Sequence, residues 1–423
     1  MQEQHVKKTF LKMKSSFLFF SLIVSISCFA QTNPGLRLWY NTPSGKTWEN
    51  ALPIGNGRLG AMVYGNVSTE TIQLNEHTLW SGSPNRNDNP LALDSLAEMR
   101  KLIFEGKQKE AERLANKVII SKKSHGQMFE PAGELHLRFE GHDNYSNYYR
   151  ELDIEKAIAT TTFTRNAATF TEELFTDFVH DITWVRLSTT KKGSINVVLA
   201  LYRKEHAQIK TKKNTIAMMG QLPSGADKGM QFVTVAQPTV KDGTIRQEGN
   251  ELVIENATEC WIKISSVTNY EYATGNLSAN DIIEKAFQYI EKTKQTSFAA
   301  AQQKSTVAYQ QLFNRCRWNM PDSKPGTAVT TNQRLINYYK GEEDLQLPVL
   351  YFNFGRYLLI SSSRPGLLPA NYEQELNKTI GQLPLNQTEI PTIVHPVTAA
   401  AEKKYRIIND PNGVQGAIRF AQP

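Results

Sequence analysis

The chain has 423 residues, 40% hydrophobic and 21% charged, with a net charge of +7 and 3 cysteines. That length favours two or three domains over one and allows a large core, which excludes a disordered or fibrous polypeptide. Four lysines and one glutamate fall in the first thirty residues, leaving +4 beyond them, too small an excess to argue for a nucleic-acid partner.

Lys7, Lys8, Lys12 and Lys14 precede the apolar run "FLFFSLIVSISCFA", which ends at Ala30. The pattern predicts a cleaved secretory signal over residues 1–30 and hence an exported protein, periplasmic or extracellular. Residues 17–30 are shorter than the ~20 apolar residues that span a bilayer, so no membrane association is expected after cleavage. A lipidated Cys28 is the alternative, opposed by Ser25 where such sites usually carry Leu.

From 36 to about 275 the chain reads as short strands. "LRLWYNTP", "GAMVYGNV", "ETIQLNE", "ELHLRFE", "TTTFTR", "ATFTEELFT", "ITWVRLST" and "SINVVLALY" are rich in Val, Ile, Thr and aromatics with period-two alternation, and Gly, Asn, Asp or Lys-Gly turns separate them. Antiparallel sheets packed face to face are predicted, with a core that the sandwich can bury by itself. Within them, Leu96, Met99, Ile103, Ala111, Leu114 and Val118 recur at three- and four-residue spacings, which predicts two amphipathic helices hinged at Gly106 over about 90–120. A helical connector over 281–317 follows, with one stripe of Ile282, Ile283, Ala286, Phe287 and Ile290 and another of Tyr309, Leu312, Phe313 and Cys316. Two prolines and a glycine in "MPDSKPGTAVTT" break it before a second helical region from about Gln333. Cys260 and Cys316 sit among apolar or aromatic neighbours and read as buried free thiols.

Residue types alone indicate little chemistry. No C-x-x-C pair, H-E-x-x-H or histidine cluster is present, so neither a metal nor a cofactor is expected. "IGNGRLGAMVYG" precedes a strand, and a tight turn in a sheet explains its glycines better than a phosphate cradle does. Carboxylates are plentiful, but spacing cannot pair them, because the two acids of a glycosidase are often far apart in sequence.

Residues 38–90, "LWYNTPSGKTWENALPIGNGRLGAMVYGNVSTETIQLNEHTLWSGSPNRNDNP", resemble the opening of glycoside hydrolase family 95. "EPAGELHLRF", "YYRELDIEKAIATTTF", "YQQLFNR" and "FGRYLLISSSRPGLLPAN" resemble further segments of that family in the same order. The resemblance implies an inverting glycosidase for non-reducing α-L-fucose or α-L-galactose on glycans. Its implied architecture is mainly β: an N-terminal antiparallel β-sandwich (supersandwich) over 31–275, a helical linker over 276–325, and from 326 to 371 the first helices of an incomplete (α/α)6 toroid. It also implies a catalytic Glu, an Asp base and a pair of Asn residues. Asn75, Glu76, His77 and Trp80, and Asn371 at the family lead-in, are the positions it suggests for substrate contact at the pocket edge. Arg356 and Arg364 read as solvated.

After Asn371 the chain reads "YEQELNKTIG", where the family carries a different run, and no catalytic residue can be assigned. Twelve helices with short loops need about 200 residues, so a closed toroid is not expected. Residues 372–423 read as a divergent, weakly ordered tail, a frame change near codon 372 being one origin. The alternative function is a non-catalytic carbohydrate-binding sandwich. Oligomeric state is not readable from the sequence.

Overall fold

The computed structural model describes residues 36–84, 89–119, 128–139, 141, 144–224, 228–318, 320 and 329–367. The signal, Cys28, Asn371 and the tail lie outside them. Every named strand pair is antiparallel. One sheet has nine strands in the order β1 (Arg37–Tyr40), β6 (Ser146–Asp153), β7 (Ile158–Arg165), β8 (Ala168–Thr176), β9 (Thr183–Thr189), β16 (Glu259–Thr268), β13 (Gln231–Lys241), β12 (Thr215–Gln221) and β11 (Gln208–Lys212). The second has seven in the order β14 (Thr244–Glu248), β15 (Glu251–Ala257), β10 (Ile195–Tyr202), β5 (Gly133–Phe139), β4 (Thr69–Glu76), β3 (Leu59–Val63) and β2 (Leu52–Gly55), and β17 (Tyr270–Glu271) pairs with β18 (Asn276–Leu277) in a two-stranded ribbon.

Strand alternation explains the packing. Leu52, Ile54, Ala61, Ile72, Leu74, Leu135 and Leu137 of the seven-stranded sheet meet Leu38, Leu152, Leu174, Val185, Met218, Cys260 and Ile262 of the nine-stranded sheet in one core. The outer face of the nine-stranded sheet is apolar too, and two helices cover it. The first, α3 (Ile282–Glu291), lays Ile282, Ala286 and Ile290 on Val233, Val235 and Val267. The second, α4 (Phe298–Phe313), sets Phe298 and Ala301 against Phe175 and Trp184. Asp281 and Ser297 cap the two N-termini by accepting from backbone N–H groups, as short oxygen side chains do at that position.

The connector expected over 281–317 is thus two helices, interrupted at 292–297. Cys316 lies beyond the second and is exposed, so the expectation of a buried thiol holds for Cys260 and fails for Cys316. The insertion forms α1 (Leu91–Phe104) and α2 (Gln108–Val118), turning at Gly106 with φ +74°. Its own small cluster buries Met99, Ala111 and Val118, while Ile103, assigned to the stripe, is 56% exposed.

Helices α5 (Thr331–Tyr339) and α6 (Gln346–Ser362) complete the described chain. They are not appended to a finished sandwich. Leu350, Phe354, Tyr357 and Leu358 of α6 join Tyr309 and Phe313 of α4 in the main core. The Tyr357 hydroxyl donates to the Pro53 carbonyl at 2.7 Å, and that of Tyr309 to the Ile154 carbonyl at 2.7 Å. The sandwich therefore shares its core with the helices instead of burying it alone. Arg356 is not solvated: it donates to the Phe313 and Cys316 carbonyls and lies over the Phe313 ring.

Candidate functional site

The turn between β2 and β3 organises the site. Asn56 accepts from the backbone N–H groups of Arg58 and Leu59 through Oδ1, closing the turn, and donates through Nδ2 to the Asp177 carbonyl and to Asp181. Between them Gly57 has φ +88° and approaches the backbone of Ser363 so closely that a Cβ would stand 2.9 Å from its carbonyl carbon. Only glycine meets both demands. The turn thereby docks the end of α6 on the sandwich, with the Gly57 N–H donating to the Ser361 carbonyl at 2.8 Å.

Arg58 is buried and sits at the centre of a polar network. It donates to the Ser266 carbonyl at 2.9 Å and the Asp181 carbonyl at 2.8 Å, stands 3.4 Å from Glu76 Oε1, and packs over the Tyr289 ring. Asp181 also receives Arg364 at 2.8 Å, so Arg364 is paired and not solvated. Glu76 ends β4 on the core side. Its Oε2 accepts from the Thr78 N–H and hydroxyl at 2.8 and 2.5 Å, and His77 Nδ1 is 3.4 Å from its Oε1. Burial by itself would raise the Glu76 pKa, but His77, Arg58 and the Thr78 hydroxyl outweigh it and hold the carboxyl at about 2. A carboxylate so engaged is a structural anchor and cannot exchange protons near neutral pH.

His77 stacks on Tyr272 with ring centroids 5.4 Å apart, and its Nε2 meets the Tyr272 hydroxyl. The Trp80 indole N–H donates to the His77 carbonyl at 3.1 Å, and the ring stands edge-on to Phe129. Of the expected contact residues, Glu76, His77 and Trp80 are therefore linked, with only Trp80 partly exposed. Asn75 lies on the opposite strand face by alternation. It is buried, and neither its Nδ2 nor its Oδ1 has a partner among the described residues. Asn371 lies outside them. Sequence reading missed Arg58, Asp181 and Tyr272 and took Arg364 as solvated; Arg58 lies inside the glycine-rich stretch, the one local signal available.

A second carboxylate pair is fully enclosed. Glu70 accepts from the backbone N–H groups of Tyr64, Gly65 and Asn66. Burial, and then the neighbouring Glu172, push its pKa well above the usual carboxylate range against those donors. Burial alone pushes Glu172 to about 8, and its Oε1 has no partner among the described residues. No group of three or more His, Cys, Asp or Glu among the described residues is arranged to hold a metal ion. No described helix is long and apolar enough to cross a membrane.

Three clefts border these elements. Among the described residues, the one of about 710 Å³ carries Asp281 as its one carboxylate, one of about 200 Å³ carries Glu155, and one of about 590 Å³ between α4 and the end of α6 carries none. None is lined by Asn75, Glu76, His77 or Trp80.

Residues 38–273 match the family described as glycosyl hydrolase family 65, N-terminal domain. Residues 297–380 match the glycosyl hydrolase family 95 catalytic domain, a match that runs on past Asn371. Alpha-L-fucosidase 2 of Arabidopsis thaliana is 29% identical over 375 residues, covering 82% of this chain and 44% of that protein. The "Probable alpha-fucosidase A" of Aspergillus niger is 27% identical over 357 residues, covering 79% and 44%. The chain thus spans less than half the length of these curated relatives. A solved structure from the human microbiome, provisionally named a kojibiose phosphorylase, superposes with a TM-score of 0.41 at 11% identity, over 67% of this chain and 38% of that one. The chain belongs to the glycosyl hydrolases, with a family 65-type N-terminal domain as its sandwich and family 95 catalytic-domain sequence in the helices that share its core.

Proposed function

We propose that this chain is the N-terminal part of an exported, inverting α-L-fucosidase-type glycoside hydrolase acting on non-reducing fucosyl residues of glycans, α-L-galactosyl ends being the nearest variant. In this reading the described residues build the scaffold and one edge of the pocket and do not perform the chemistry. The observation that carries the hydrolase half is the run of α-fucosidase relatives across both the sandwich and the helices. The second half rests on the carboxylates. Inversion needs an acid and a base roughly 6.5–9.5 Å apart across an open sugar site. Glu76 is locked by Arg58, His77 and Thr78, Glu70 and Glu172 are enclosed, and none of the three clefts presents a pair. In this reading Trp80, the partly exposed member of the set, is the residue left to meet the sugar at the pocket edge, and Asn75 is buried.

The test is turnover of an aryl α-L-fucoside by the purified chain beside a full-length relative. The relative is expected to hydrolyse it and this chain to show no rate above a mock purification. General acid and base groups each supply about 10²–10⁴-fold, so their absence is readily seen. Turnover that follows the chain through purification would refute the scaffold assignment. Failure of the fucoside in the relative as well, with hydrolysis of an α-L-galactoside, would move the substrate.

A further inference from the structure

The cleft of about 710 Å³ belongs to neither polar network. It opens where the first turn of α3 meets the β11–β12–β13 edge of the nine-stranded sheet, and its volume of about 710 Å³ lies within the ~300–1,000 Å³ of small-molecule sites. Its shape is set by backbone. Gly220 of β12 lies beneath the loop carrying His206, where a Cβ would come within 1.8 Å of the His206 carbonyl oxygen and 2.8 Å of the Phe232 ring. Only a residue without a side chain allows that wall to close.

Four amides set the polar side of the lining. Gln208, Gln221 and Gln231 stand on three neighbouring strands, with Gln221 directly opposite Gln231 in register, and Asn280 faces them from the loop before α3. Gln221 Nε2 is held by the Gly229 carbonyl at 3.1 Å, and Asn280 Nδ2 by Glu271 at 3.3 Å, so both amides are oriented. Met219, Ile282 and Ile283 supply apolar surface between the amides. No Lys or Arg among the described residues lines the cleft, and Asp281 spends Oδ1 on the N–H groups of Ile283 and Glu284. Among the described lining residues only the His206 imidazole could meet an anion with charge, with no guanidinium or ammonium beside it in the lining.

An amide offers a donor and an acceptor side by side, the complement of vicinal hydroxyls, and apolar patches suit the C–H faces of a pyranose. From this geometry we infer that the cleft between β11–β13 and α3 is a non-catalytic binding site for a neutral oligosaccharide. The site is independent of the hydrolase reading, since it needs no acid or base.

The test titrates the intact chain with 2′-fucosyllactose and with lactose by calorimetry, inorganic phosphate serving as the anionic control. Three variants are compared: Gln208→Ala/Gln231→Ala, Ala279→Arg, which fills the exposed rim without removing a hydrogen bond, and Trp80→Ala at the other site. Saturable binding of at least one sugar is expected, weakened tenfold or more by either cleft variant with thermal unfolding unchanged, and retained by Trp80→Ala. Phosphate is expected to give no heat. Unchanged affinity in both cleft variants, loss in Trp80→Ala alone, phosphate binding that sugar does not displace, or no sugar binding by the parent chain would each overturn the site. Turnover of the aryl fucoside is read separately, so a failed hydrolase assay leaves this result intact.

Discussion

At the residue scale, Glu172 shows what enclosure does to a charge. Its folded pKa of about 8 lies far above the ~4.3 of an unfolded glutamate, so the folded state holds a proton that the unfolded state releases. Stability from this group is complete below about pH 4.3, declines as pH rises across the window, and is lost on passing through about 8. Glu70, raised by burial and by Glu172, acts in the same direction. Replacing the acid by an amide of the same shape removes the titration. Glu172→Gln is therefore expected to flatten the fall in melting temperature between pH 5 and 8, its advantage over the parent growing with pH. Melting curves at four or five pH values check this, and parallel slopes for parent and variant would show that Glu172 does not carry the linkage.

At the scale of elements, the β2–β3 turn shows how one glycine couples two parts of the chain. Gly57→Ala brings the strain of a positive φ, about 1–3 kcal/mol, together with a 2.9 Å approach to the Ser363 backbone that no side-chain rotation relieves. Gly106→Ala at φ +74° brings the strain alone, having nothing within 4 Å. Gly57→Ala should lower the melting temperature more than Gly106→Ala and should speed protease cleavage near residues 361–364. Equal losses would mean that the Ser363 contact contributes nothing. The same turn marks the limit of sequence reading. Strands such as β4 and β8 were legible because alternation, β-branched residues and turn signals are local properties. The turn itself was legible for the same reason. Its partners were not: Asp181 and Ser266 reach Arg58, and Arg364 reaches Asp181, across separations that no spacing encodes. Glu76 and His77 were found only as part of a family motif, and their commitment to Arg58, Thr78 and Tyr272 became visible only once those elements were brought together. Cys316 is exposed because it falls beyond the end of α4 at Phe313, and its aromatic neighbour Trp318 is itself exposed, so apolar company in sequence brings no burial there.

At the scale of the whole molecule, the shared core decides where the folding unit ends. Strand patterning suggested a sandwich sufficient to itself, yet Tyr309, Phe313, Leu350, Phe354, Tyr357 and Leu358 fill one side of its core, and Phe298 covers Phe175 and Trp184 on the outer sheet face. Vacating a single buried site of this size costs about 2–5 kcal/mol. Six of them together rival the roughly 5–15 kcal/mol that stabilises a whole domain. The Trp39 N–H bond to the Thr331 hydroxyl at 2.9 Å and the Tyr357 bond to Pro53 would go as well, leaving β1 and β2 without those contacts. Residues 36–275 expressed alone are therefore expected to bind a hydrophobic dye and to melt without a cooperative transition, whereas residues 36–367 should melt in one step. Calorimetry of the two fragments at matched concentration makes the comparison. A sharp transition for 36–275 within a few degrees of the longer fragment would show that the sandwich closes its core without α4 and α6, and that the helices rest on a domain already complete.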